Sequence, residues 1–71
     1  MNIEVIVKQY EMKWNEEKAR HEKGELKSET HGTLVHIKAS IDEASVYTII
    51  RASDGMLIEA FNDRYTDIFA S

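Results

Sequence analysis

Two runs rich in β-branched and aromatic residues, 45–51 and 56–61, flank a Ser53-Asp54-Gly55 step, and that arrangement commits the second half of the chain to a β-hairpin. Val46, Tyr47, Thr48, Ile49 and Ile50 suit a pleated, half-buried surface, and Asp-Gly supplies the left-handed backbone that a tight turn needs. The loop length then sets the register. A two-residue Asp54-Gly55 loop places Ile50 opposite Glu59 and Arg51 opposite Ile58. A three-residue loop with Gly55 left-handed places Ala52 opposite Met56, Ile50 opposite Ile58 and Thr48 opposite Ala60. The second register separates an apolar face from a mixed aromatic and charged one, and such separation is what specifies register. It is therefore the expected one, and it gathers Tyr47, Ile49, Arg51, Leu57, Glu59 and Phe61 on the hairpin's outer face.

Upstream, residues 33–39 alternate, with Val35 and Ile37 facing one way and His36 and Lys38 the other, and predict a further strand. Ile3, Val5 and Val7 suit a strand at 2–8, although Ile3, Ile6, Val7, Tyr10 and Trp14 also fall at helical spacing. The good helix formers up to Lys23 and the acid-before-base pair Glu16 and Arg20 predict a helix over 10–23, stopped at Gly24. Residues 25–32 read as a polar connection, and Asp42-Glu43 as a turn. After Phe61, Asn62 and Asp63 are good N-caps, and the spacing of Tyr65, Ile68 and Phe69 predicts a short closing helical turn. The expected fold is α+β: an antiparallel sheet of three or four strands (33–39, 45–52 and 56–61, joined by 2–8) with one N-terminal helix packed on a face. Tyr10 and Trp14 are that helix's anchors, with Trp14 buried near Val35, Ile37 and Ile50. A small all-β barrel carrying an N-terminal helix is the alternative.

A chain of 71 residues is a single domain, 1–71, and buries only about 60% of its unfolded surface. It has no cysteine, so neither disulfides nor thiolate metal sites can reinforce it. The formal charge of −4 keeps such a chain soluble and is the wrong sign for a phosphate-backbone binder. The opening stretch is too short and has an acid inside it, unlike a signal peptide's apolar core, and no span is apolar enough for a membrane. A cytoplasmic location is the expectation.

Chemistry is sparse. His21, His31 and His36 lack the tight spacing of a zinc site. None of Ser28, Ser40, Ser45, Ser53 or Ser71 sits in a nucleophile elbow, and Gly24, Gly32 and Gly55 are too far apart for a phosphate loop. The expectation is therefore a protein with no catalytic residue, no cofactor and no metal. The aromatic outer face, with Arg51 and Glu59 at its rim, has the composition of an interface centre. It predicts a protein partner, with a homodimer built on Tyr47, Ile49, Leu57 and Phe61 as the simplest form. Short, acidic, cysteine-free chains of this kind suit regulatory inhibitors and adaptors, including those encoded by phages. The alternative is a nucleic-acid-binding regulator that contacts phosphates through Lys18, Arg20, Lys23 and Lys27, with Glu16, Glu17, Glu22 and Glu25 interleaved among them.

Overall fold

The computed structural model describes residues 2–39 and 45–71. The sequence's turn at Asp42-Glu43, and Ser40, lie outside the described residues. The fold is all-β: one antiparallel sheet of five strands, β1 (Ile3–Asn15), β2 (Arg20–Lys38), β3 (Val46–Arg51), β4 (Leu57–Phe61) and β5 (Thr66–Ala70). The strand order across the sheet is β4-β3-β2-β1-β5. The described residues contain no helix, which overturns the expected α+β class.

Each expected helix becomes a strand for an identifiable reason. The segment expected as helix 10–23 instead extends β1 to Asn15, turns at 16–19 and begins β2. Tyr10, Met12 and Trp14 fit a period of two as well as they fit a helical turn. As a helix the segment would have had only these three large apolar side chains and Ala19 to bury. As a hairpin, its backbone groups pair across twelve registered positions, from Ile3 opposite Leu34 to Asn15 opposite Arg20. The polar connection expected at 25–32 is the middle of β2, and Gly24 lies inside that strand instead of ending a helix. At the other end the Asp63 side chain does cap, accepting the Tyr65 N–H at 2.9 Å, but it closes a turn only. Thr66 and Ile68 then alternate with Asp67 and Phe69, and Val7 pairs with Ile68.

The β3–β4 hairpin exists, in a different register from the one expected. Arg51 N–H donates to the Met56 carbonyl at 2.8 Å, and Gly55 N–H donates to the Arg51 carbonyl at 2.7 Å, so the loop is the four residues 52–55. Asp54 explains the longer loop. Its carboxylate takes Arg51 Nε at 3.0 Å and Nη2 at 2.5 Å, and it also accepts the Met56 N–H at 3.1 Å. Ile49 therefore faces Ile58, Tyr47 faces Ala60, and Ile50 faces Leu57.

The sheet is folded over on itself. Gln9 pairs with both Ser28 and Thr66, whereas Val46 pairs with both Lys38 and Phe61. In an extended β2, Ser28 and Lys38 would be about 33 Å apart. Yet residues 62–65 alone connect Phe61 to Thr66, from a hydrogen bond of Asn62 N–H to the Ser45 carbonyl to one of Tyr10 N–H to the Tyr65 carbonyl. The five Cα–Cα steps from Phe61 to Thr66 span at most about 18 Å, so β2 must bend sharply. It does so near a register shift between Leu34 and His36, where Val35 is the extra residue. Gly32 sits beside this bend and is buried. A Cβ there would lie 2.5 Å from the Ile50 carbonyl oxygen and 2.6 Å from Ile49 Cγ2, so only glycine allows β2 and β3 to approach this closely. The inner face then closes over a core of Val5, Val7, Leu34, Ile49 and Ala60, flanked by Tyr47, Ile58 and Ile68. Side chains from all five strands enter that cluster, and Ile49 is 0% exposed.

Candidate interaction surface

The alternation that sends Ile49, Ile58 and Ala60 inward sends their neighbours outward. The six residues expected to share one face divide between two. Tyr47 and Ile49 belong to the core side, and Arg51, on the same side by parity, is taken up by Asp54 at the loop. Leu57, Glu59 and Phe61 lie on the outer face, with Leu57 66% and Phe61 54% exposed. They are joined there by residues the sequence reading assigned elsewhere: Ile50 stands opposite Leu57, Val46 opposite Phe61, and Thr48 opposite Glu59 between them. The signal that could have found this set is the i,i+3 spacing of Arg51 and Asp54, which favours the longer loop.

Across the same outer face, β2 is polar. Glu29, His31 and Thr33 oppose Lys8, Ile6 and Glu4 of β1. His31 Nε2 lies 2.9 Å from Glu29 Oε2, and Lys8 Nζ 3.7 Å from Glu29 Oε1. These contacts hold the Glu29 carboxyl below its usual range, His31 contributing first. Beyond β2, Ile6 pairs with Phe69, whose ring Lys8 Nζ covers at 5.5 Å.

Past Gln9 the β1–β2 hairpin has no third strand among the described residues, because β5 pairs only with Val5 to Gln9 and β3 only with Gly32 onward. One side of this arm carries the apolar residues Tyr10, Leu26, Met12 and Trp14, with Lys23 opposite Met12 and His21 opposite Trp14. The other side carries Lys13 opposite Glu22 and Asn15 opposite Arg20. Trp14, expected in the core, is 52% exposed and meets the His21 ring edge-on at a centroid distance of 5.0 Å. Val35, Ile37 and Ile50 are thus not its neighbours in the sheet register, because the arm carries it away from the body.

Of the four basic residues considered for phosphate contact, three stand beside acids. Lys18 Nζ and Arg20 Nε lie 3.6 and 3.4 Å from Glu22, and Lys23 Nζ lies 3.1 Å from Asp67 while covering the Tyr10 ring at 4.6 Å. The Glu22 carboxyl is held below its usual range, chiefly by a hydrogen bond from Asn15, with Lys18 and Arg20 adding to it. Lys27 has no ion-pair partner among the described residues. Among the same residues no three His, Asp or Glu side chains converge, and no helix is long and apolar enough to cross a membrane. No protein-family model matches the chain, and comparison with curated proteins and with solved structures returns no match.

Proposed function

We propose that this chain is a small non-catalytic protein-binding module whose contact surface is the outer face of the β3–β4 hairpin. The observation that carries the reading is the exposure of Leu57 and Phe61 on a well-formed strand whose alternate residues fill the core. With Ile50 and Val46 opposite them, they make a strip of apolar side chains, and Thr48 and Glu59 supply polar groups within it. Apolar groups held on a rigid strand with polar neighbours are the ingredients of a recognition surface. The homodimer expected on this face loses two of its four anchors, Tyr47 and Ile49, to the core. The strip therefore fits a different protein chain. A regulatory inhibitor or adaptor, such as a phage encodes, working in the cytoplasm accords with the small, acidic, cysteine-free composition. The nucleic-acid alternative is weakened by the acids beside Lys18, Arg20 and Lys23, which neutralise the field a phosphate would meet.

Affinity capture from a lysate of the source cells tests the reading, with the wild type compared against Leu57→Lys and Phe61→Lys. A protein retained by the wild type and lost from both variants, at unchanged melting temperature, is the expected result. Identical captured proteins would overturn the choice of surface. Binding to mixed-sequence DNA or RNA with a steep inverse dependence on salt would instead favour the nucleic-acid reading.

A further inference from the structure

We propose that two copies of this chain associate antiparallel along the free edge of β2, about a two-fold axis at Leu26. Among the described residues the edge is open, because β3 pairs with β2 only from Gly32, and the His31 carbonyl is already taken by the Ala52 N–H at 2.9 Å. From Arg20 to Thr30 the arm therefore shows one edge of β2 to solvent, with Leu26 near its middle and 50% exposed. An isolated two-stranded ribbon is marginally stable in water, and added strands supply what it lacks. Two arms joined edge to edge make four strands. They also merge the apolar sides formed by Tyr10, Met12, Trp14 and Leu26.

The occupant is identified by the charge pattern. Around Leu26, the positions Lys23, Glu25, Lys27 and Glu29 reverse sign on reflection. In a two-fold antiparallel pair centred there, Glu25 meets Lys27 of the second copy, Lys23 meets its Glu29, and Leu26 meets Leu26. Each ion pair occurs twice by symmetry. The neighbouring centres fail: about Glu25, that residue meets itself and Lys23 meets Lys27, while about Lys27, that residue meets itself and Glu25 meets Glu29. Like charges directly opposite one another destabilise a sheet. Within one chain, Lys23 is engaged with Asp67, and Glu29 with His31 and Lys8. Glu25 and Lys27, nearest the axis, have no ion-pair partner among the described residues. The register shifts between β1 and β2 at Tyr10 fall opposite this same stretch.

Sedimentation equilibrium on the full chain, with charge reversals on the exposed Glu25 and Lys27, tests the proposal. The wild type is expected to dimerise at micromolar concentration. Glu25→Lys alone and Lys27→Glu alone should each weaken the dimer about tenfold, because each sets two like-charge contacts across the axis. The double variant Glu25→Lys/Lys27→Glu should recover it. An equimolar mixture of the two single variants should form a heterodimer, in which every contact is again complementary. A wild type that stays monomeric at high micromolar concentration overturns the proposal, as does a dimer indifferent to either reversal or a double variant that fails to recover. Leu57→Lys should dimerise as the wild type does, so this result stands or falls apart from the hairpin surface.

Discussion

Ala19 and Gly55 occupy the same position in two hairpin loops of equal length: each is the last of four loop residues, and each has a positive φ, 51° and 71°. Their side-chain hydrogen bonds differ in position. At 16–19 the Lys18 N–H is held by Asn15 Oδ1 at 3.1 Å, and at 52–55 the Met56 N–H is held by Asp54 Oδ1 at 3.1 Å. A left-handed residue costs an L-amino acid roughly 1–2 kcal/mol and costs glycine little. Ala19→Gly should therefore raise stability by up to about 1 kcal/mol, and Gly55→Val should lower it by about 1 kcal/mol or more. A Cβ at Gly55 meets no atom within 4 Å, so the loss would report backbone conformation alone. Urea unfolding of the two variants beside the wild type checks both signs.

Gly32 makes the opposite case, where space and not φ decides. Gly32→Ala drives a methyl into the Ile50 carbonyl and Ile49 Cγ2, and overpacking of this kind costs about 1–3 kcal/mol. The denaturation midpoint should fall accordingly. An unchanged midpoint would mean that β2 and β3 are not in this contact.

The hairpin register predicts a sharp contrast between adjacent strands. Ile49→Ala removes a fully buried side chain and should cost about 2–5 kcal/mol, enough to unfold a domain of this size. Leu57→Ala, on the exposed face, should cost well under about 1 kcal/mol. Comparable losses at the two positions would contradict the four-residue loop.

Trp14 should report its place on the arm. Its fluorescence in the folded protein should resemble that of a solvent-exposed indole, and Trp14→Phe should leave the melting temperature nearly unchanged. A strongly blue-shifted emission in a dilute sample would place it in a core.

Acid should destabilise the protein through three carboxylates. Asp54 is held below its usual range chiefly by Arg51 and next by the Met56 N–H, Glu29 chiefly by His31, and Glu22 chiefly by Asn15. Their pKa values are lower in the folded chain, so the unfolded chain binds more protons in acid. The stabilisation is complete above the unfolded carboxylate range and is lost as pH falls through the folded values. Melting temperature should be level from pH 7 to about 5 and then decline, and Asp54→Asn should flatten part of that decline.

The sequence showed strongly where strands would form in the second half and poorly where they would form in the first. Residues 46–50 and 57–61 carry β-branched and aromatic side chains next to a glycine turn, and both became strands. Residues 10–28 are charged on nearly every second position because one side of the arm faces only water, and a solvated strand and a solvated helix have similar compositions. Tyr10 and Trp14 are compatible with either period, so the third strand position, Met12, decides between them only once β2 is known. The contact surface depended on a single residue of loop length. Moving the register by that one residue exchanged Ile50 for Ile49 on the outer face, and the pair Arg51 and Asp54, adjacent to the turn, was the one local clue to the longer loop.

The pairing of β5 with β1 also bears on how the chain is made. Val5 stands opposite Ala70, so the first strand gains its second neighbour only after residues 66–70 have been synthesised. The β1–β2 arm, closed by four residues at 16–19, can form early and locally. The inner core cannot, because it draws on all five strands. Contacts of such long sequence separation slow folding relative to a helical chain of equal size. Until residues 66–70 pair with β1, Val5 and Val7 lack Ile68 beside them, and the core stays open on that side.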